Sequence, residues 1–527
     1  MTRAEIRRPV ALARSDRRCV PGASRSHVSQ HRTGRLALVA ATLAISACGG
    51  TGSKTTDAGD SSVPTDTAAD GVDGMAEDVA SDSGGDAVAE DVASDVGGDG
   101  MPQDTVAAKP PNILVILVDD LGYGDLSSYG APDLQSPAID RLAAEGMRFT
   151  DFHSNSPVCS PTRAALLTGR YPDLVGVPGV IRQDVGNSWG NLADDATLLA
   201  QPLAAAGYHT AIVGKWHLGL QPPDQPNDRG FALFHGFLGD MMDDYYTHLR
   251  GGVNWMRLNR DEVDPAGHAT DVFTQWAIDY LAERKDQPEP FFLYLAYNAP
   301  HVPIQPPPEW LQRVLDREPG ISMARANLVA LIEHLDDGIG KVMQALDDNG
   351  QRENTLVIFA SDNGGDTDNT AATNGPLHGG KQTMWEGGVR VPAAASWPGH
   401  IQAGTTTSAV FAAMDIFATA LEAAGATTTG EVNAQSFLPV LLGKATAASP
   451  RDLFFVRREY PGGVNYGARN GDYKLVQNTP DGPFMLYNLR DDLAETTDLS
   501  TSQPARLQQL KDGLAQHRQL ADQVPWQ

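Results

Sequence analysis

The chain has 527 residues, with 40 Lys and Arg against 66 Asp and Glu and a formal net charge of −26. That length suffices for about three domains of ~150 residues each or for one large α/β unit with an appendage. The negative balance argues against nucleic acid as a partner, because a basic face is what displaces counterions from phosphate.

The charge is unevenly placed. Residues 1–50 hold nine Arg against Glu5 and Asp16, a net +7, residues 51–108 hold fourteen Asp or Glu against Lys54, a net −13, and 109–527 carries −20. In the first stretch Arg32 and Arg35 precede an apolar run, LALVAATLAISA at 36–47. At ~1.5 Å per residue this run is too short to cross ~30 Å of hydrocarbon, which makes it the core of an export signal. It ends in Ile45-Ser46-Ala47-Cys48-Gly49, which resembles the lipobox of bacterial lipoproteins. Residues 1–48 therefore read as a leader and lipoprotein signal, with a lipid on Cys48 holding the exported protein to a membrane, in the periplasm or at the cell surface. A plain secretory signal, giving a soluble periplasmic or secreted protein, is the alternative. Within 49–109, AEDVASDSGGD at 76–86 returns as AEDVASDVGGD at 89–99. Two copies 13 residues apart do not make the nine-residue calcium repeat. So acidic a stretch, poor in apolar residues, reads as a disordered, self-repelling tether.

From Pro110 onward the pattern is that of a globular α/β protein. The run NILVILV at 112–118 fits a parallel strand covered on both faces, and it stops at Asp119-Asp120. In SPVCSPTRAALLTGR, at 156–170, Pro161 suits a first helical turn and Gly169 a helix end. Cys159 then sits at a helix N-terminus, where free N–H groups favour an anion. The strand-like stretch 209–213 leads into Lys215 and His217, which alternation places on one side of an extended chain. The apolar run 291–297 delivers Asn298 and His301. Leu328, Leu331, Leu335, Ile339, Val342 and Leu346, at three- and four-residue steps within 324–348, mark an amphipathic helix that packs on the sheet. A second strand run at 354–361 stops at Asp362-Asn363, and Lys381 lies in NGPLHGGKQTMWEGGVRVP at 374–392. Trp216, Trp385 and Tyr129 read as supporting aromatics. From about residue 440, short strands at 452–456, 464–468, 473–476 and 484–487 predict an antiparallel meander, with a turn at Asn470-Gly471 and a closing helix over 504–519.

In open α/β sheets the site lies outside the carboxyl ends of the strands. The two runs that end in Asp119-Asp120 and Asp362-Asn363 can meet there. Their oxygens, with no mixed Cys and His set, suit Ca²⁺ or Mg²⁺ better than zinc.

Cys159-x-Pro161-x-Arg163 followed by AALLTGR resembles the signature of the formylglycine-dependent sulfatases, of the alkaline phosphatase-like superfamily. With the metal pairs and the motifs around Lys215, His301 and Lys381, the resemblance spans nearly all of 110–527. It implies an α/β fold: a large mixed, mostly parallel sheet sandwiched by helices over 110–440, and a small C-terminal subdomain, antiparallel sheet plus helix, over 441–527. It also implies that a formylglycine-generating enzyme oxidises Cys159 to an aldehyde. In the family's chemistry one hydroxyl of the hydrated aldehyde attacks sulfur; the other then loses its proton and expels sulfate as the aldehyde re-forms.

The roles that follow from the resemblance are these. Asp119, Asp120, Asp362, Asn363 and residue 159 hold Ca²⁺, with Mg²⁺ possible. Lys215, His301 and Lys381 bind the sulfate and ester oxygen, His301 and Lys381 being candidate proton donors. His217 assists elimination, and Arg163 holds the geometry of residue 159. His378 departs from the family pattern, in which arginine is common. Residues 236–248 are similar to the matching region of arylsulfatases and N-acetylgalactosamine-4-sulfatases, which favours a sulfated carbohydrate or a small aryl sulfate as substrate. A phosphonate monoester or phosphodiester hydrolase of the same superfamily, and a non-catalytic tethered carbohydrate-binding protein, stay open as alternatives.

Overall fold

The computed structural model describes residues 109–460 and 463–526. The expected export signal, with Cys48, and the acidic stretch expected to form a tether, up to residue 108, lie outside the described residues. Five strands lie side by side and parallel: Thr355–Ser361, Asn112–Val118, Phe291–Ala296, His209–Lys215 and Leu233–Phe237. They form the middle of a ten-stranded sheet, flanked on both sides by antiparallel neighbours, Ala393–Ser396 and Met256–Leu258.

Both faces of this sheet are covered, which is why its strands carry almost no polar residue. Ile113, Val115 and Leu117 enter one apolar layer, together with residues of the helices Cys159–Thr168 and Asp415–Ala424. Leu114, Ile116 and Val118 enter the other, under Pro137–Ala144, Ala269–Arg284 and Met323–Asp348. The result is the expected mixed sheet between helical layers.

Register then determines where the acidic pairs emerge. Val118 pairs with Ser361, so Asp119 and Asp362 leave adjacent strands at one level. The Asp362 N–H donates to the Val118 carbonyl at 3.0 Å, and the Asp119 N–H to the Ala299 carbonyl at 3.1 Å. Gly214, just before Lys215, has φ 103°, and a Cβ there would lie 2.0 Å from the Ala296 carbonyl oxygen, so the close strand contact requires glycine.

The predicted meander is a four-stranded antiparallel sheet in sequential order: Asp452–Tyr460, Gly463–Asn470, Tyr473–Gln477 and Met485–Asn488. Its first strand runs four residues past the expected end at 456. One face packs on Leu510 and Leu514 of the helix Pro504–Ala521. The other face, with Leu453, Phe455, Val476 and Tyr487, packs on Ala165, Met384, Val389 and Met414 of the main body. A buried ionic layer joins the same two parts. Arg469 forks onto Asp151 at 2.6 and 2.8 Å, and Lys474 donates to Glu386 at 2.8 Å and lies 3.1 Å from Glu495. The described residues of the segments 110–440 and 441–527 thus belong to one compact unit.

Candidate active site

The side chains expected at the site gather at the carboxyl ends of the parallel strands. The helix Cys159–Thr168 is buried along its whole length, so its Ala and Leu residues seat it against the sheet and leave only its N-terminal end to face the strand ends. Val158 is extended ahead of it, and Gly169 ends it at φ 66° with its N–H on the Ala165 carbonyl. Cys159 is 3% exposed. Ligating atoms of Asp119, Asp120, Cys159 and His301 all lie within 4.8 Å of one another.

A lattice of charge-assisted bonds connects the remainder. Lys215 donates to Asp119 Oδ2 at 2.5 Å, and Lys381 to Asp120 Oδ2 at 2.6 Å. Asn363 Nδ2 donates to Asp120 Oδ1 at 2.7 Å. Arg163 donates through Nε and Nη2 to Asp362 Oδ2 at 3.0 and 2.7 Å, and through Nη1 to the Lys215 carbonyl at 3.3 Å. His301 Nε2 stands 3.6 Å from Asp120 Oδ2, and its Nδ1–H donates to the Val302 carbonyl at 2.8 Å. Burial opposes the charge of Asp119, yet Lys215, His301, Arg163 and Lys381 together hold it well below the usual carboxylate range. Burial and the facing Asp119 push Asp362 up despite Arg163. Burial disfavours the Lys381 ammonium, but Asp120, Cys159 and Asp119 together more than offset this and raise it. The Cys159 thiol is raised by burial and by Asp119.

Two buried oxygens in this cluster, Asp119 Oδ1 and Asn363 Oδ1, have no protein partner. The carboxylates of Asp119, Asp120 and Asp362 and the amide of Asn363 are linked through Arg163 and the Asn363–Asp120 bond; these hard oxygens fit a divalent cation, which would satisfy both orphans. Two other groups do not fit one. Asp151, His153 and Glu386 are already met by Arg469, Arg390 and Lys474. His268 spends both ring nitrogens in the protein, Nδ1 accepting from the Thr270 N–H at 3.2 Å and Nε2–H donating to the Gln305 carbonyl at 3.1 Å.

His217 does not continue the extended strand of Lys215 as alternation predicts. The strand ends at Lys215, and His217 sits at φ 62°, so the chain turns there instead of continuing extended. His217 still faces the site's charges: burial, then Lys215 and Arg163, depress its pKa well below the ordinary imidazole value. Its Nε2–H donates to the Ile181 carbonyl at 2.9 Å, and Nδ1 is left buried and unpaired, a bare acceptor.

Several supporting groups have no signal in the sequence. The Tyr245 hydroxyl lies 2.9 Å from the carbonyl oxygens of both Asn298 and His301 and braces that loop. Ser160 Oγ accepts the Ile181 N–H at 3.1 Å. Trp216 and Tyr129, by contrast, are the supports that the sequence leads one to expect, donating to the Asp224 and Phe149 carbonyls at 2.8 and 2.6 Å. His378 is exposed and stacks on Trp385, ring centres 4.2 Å apart.

The sulfatase family model matches residues 111–426, and the model for the C-terminal part of N-sulphoglucosamine sulphohydrolase matches 378–520. The chain is 36% identical over 373 residues to N-acetylgalactosamine-6-sulfatase of Canis lupus familiaris, covering 67% of this chain and 69% of that one. It is 38% identical over 401 residues to arylsulfatase A of Bos taurus, covering 70% and 75%. Its structure resembles the crystal structure of Ps i-CgsB in complex with k-i-k-neocarrahexaose, with a TM-score of 0.71 and 31% identity across 77% of this chain and 92% of that one.

Proposed function

The chain belongs to the sulfatase family and is a sulfuric ester hydrolase, and from this premise we propose that it desulfates a carbohydrate outside the cell, using a formylglycine made from Cys159 and a calcium ion. The observation that carries the reading is the placement of Cys159 at a helix N-terminus among Asp119, Asp120 and His301, beside the ammonium groups of Lys215 and Lys381. An anionic sulfate needs its oxygens neutralised, and these cations supply that in a site closed to bulk water.

The oxidised residue would supply a hydroxyl nucleophile, and the cation, held by Asp119, Asp120, Asp362 and Asn363, would lower the pKa of that hydroxyl and polarise the sulfate. The chain's own residues do the proton work. Lys381 and His301 stand together against Asp120, where a proton can pass to the leaving ester oxygen. His217 Nδ1 is free to accept a proton in the elimination that releases sulfate. Arg163 fixes Asp362 and the Lys215 backbone, so the metal side and the sulfate side are set by one guanidinium. Calcium is favoured over magnesium because four side chains, Asp119, Asp120, Asp362 and Asn363, would offer it oxygens, whereas magnesium is usually held by one or two carboxylates and retains several waters.

N-acetylgalactosamine-6-sulfatase among the relatives, and the k-i-k-neocarrahexaose in the Ps i-CgsB complex, support a sulfated sugar as substrate. The run at 36–47 and Cys48 support export and a lipid tether.

Intact-mass analysis of the Cys159 peptide, isolated from the native host, is expected to show a species ~18 Da lighter than the thiol form, the difference between thiol and aldehyde at the nucleophile. The same preparation is expected to cleave 4-nitrophenyl sulfate faster than a phenylphosphonate ester. An unshifted peptide, or a preference for the phosphonate, defeats the proposal.

A further inference from the structure

An arginine of the C-terminal subdomain bonds the residue beside Lys381. Arg457, in the strand Asp452–Tyr460, is 7% exposed and its guanidinium has partners on two sides. Toward the main body, Nη1 donates to the Gln382 carbonyl at 2.7 Å and Nη2 to Gln382 Oε1 at 3.1 Å. Within its own strand, Nε donates to Glu459 Oε2 at 2.8 Å. Glu459 Oε1 in turn accepts from Arg182 Nη2 at 3.0 Å.

Both ends of this chain of bonds lie next to catalytic candidates. Gln382 directly follows Lys381 and has φ 74°, a left-handed state that a residue with a Cβ holds only when its surroundings impose it. Its N–H donates to the Pro157 carbonyl at 2.8 Å, two residues before Cys159. At the other end Arg182 follows Ile181, whose carbonyl accepts a hydrogen bond from His217 Nε2–H and whose N–H donates to Ser160 Oγ. A collar of polar contacts therefore runs from Lys381 through the subdomain to His217, and Arg457 is the member that crosses between the two parts of the molecule at Gln382.

We propose that Arg457 is a positioning residue of the hydrolase: by holding Gln382 in its left-handed conformation it aims the Lys381 ammonium at the ester oxygen. The proposal rests on the sulfatase reading above. As the deprotonated hydroxyl oxygen of the hydrated formylglycine at position 159 bonds to sulfur, the sulfur–oxygen ester bond breaks; the departing oxygen keeps the bonding pair and takes a proton from the Lys381 ammonium, which becomes the amine. A misaimed Lys381 transfers that proton poorly, and the penalty grows with the basicity of the leaving oxygen. A subdomain contact that merely stabilised the fold would lower the rate for every ester alike.

The test uses the full-length converted enzyme with 4-nitrophenyl sulfate and unsubstituted phenyl sulfate, whose leaving oxygen is more basic. For Arg457→Ala, kcat is expected to fall about tenfold or more on phenyl sulfate and about twofold on the nitrophenyl ester, with KM nearly unchanged, and Arg457→Lys is expected to recover part of the loss. Lys381→Ala should give the same pattern, and the double variant should be no slower than Lys381→Ala alone, because the arginine acts through the lysine. Equal loss on both esters, or losses that multiply in the double variant, would overturn the proposal. If Arg457→Ala fails to fold, Glu459→Gln removes the charge that orients the guanidinium; the same leaving-group dependence at smaller amplitude is expected, and a uniform drop overturns the proposal just as well. If unsubstituted enzyme carrying the formylglycine cleaves neither ester, it is the sulfatase reading that fails.

Discussion

Asn363 shows how the chemistry of the site rests on single atoms. Its Nδ2 is used twice, on Asp120 Oδ1 at 2.7 Å and on the Gly364 carbonyl at 3.0 Å, whereas its buried Oδ1 has no protein partner. An orphaned buried acceptor costs roughly 1–3 kcal/mol, so a bound cation should stabilise the fold as well as the reaction. In a calcium titration followed by thermal melting, Asn363→Ala is expected to need at least about tenfold more calcium for the same rise in melting temperature, by linkage of binding to the native state. Unchanged calcium dependence would remove Asn363 from the ligand set. The pairs Asp119-Asp120 and Asp362-Asn363 are legible in the sequence because each ends an apolar strand. Gln382, Arg457 and Tyr245 are not, because their partners lie far along the chain and their residue types are unremarkable where they stand.

At the scale of elements, the long helix is plain from its spacing, and the structure gives Met323–Asp348 where 324–348 is expected. Its buried Asp336 is not plain. That carboxylate accepts the Ala138 and Ile139 N–H groups at 3.0 and 2.8 Å, and so caps the start of Pro137–Ala144 from a neighbouring helix. Burial pushes its pKa from 3.8 up to about 7, against the lowering by those two bonds. The folded form thus binds a proton that the unfolded chain has already released. The stability this contributes is complete below the unfolded pKa and is lost as pH rises through the folded one. Asp336→Asn, which cannot titrate, is expected to gain in melting temperature relative to the unsubstituted protein between pH 5 and 8, by a difference on the order of 2 kcal/mol. Parallel pH curves for the two proteins would assign the titration elsewhere.

At the scale of the molecule, the charge that opens the sequence separates into three parts with different physics. The +7 of residues 1–50 belongs to the proposed leader, the −13 of 51–108 to the proposed tether, and the −20 of 109–527 to the folded body. If Cys48 carries a lipid, Cys48→Ala is expected to move the enzyme from the membrane fraction to the soluble one with its sulfatase activity retained; an unchanged distribution would contradict the tether. The body is anionic overall and yet has to admit a sulfate. Attraction must be local, because screening limits surface charge to about 8–10 Å at physiological salt whereas buried Lys215 and Lys381 act at contact distance.

By itself the sequence determined the fold class, the strands that carry the acidic pairs, the helix that presents Cys159 and the C-terminal meander. Each of these rests on local pattern: apolar runs, capping glycines and a motif whose members lie within a few residues of each other. Only the tertiary structure decided how the pieces act together. Strand register brings Asp119 level with Asp362, a left-handed turn at His217 replaces the expected extended path, and the meander extends to Arg457, which bonds the residue beside Lys381. Those contacts join residues tens to hundreds of positions apart, and no local preference encodes them; they exist because two apolar layers and a buried ionic layer close the body around the strand ends.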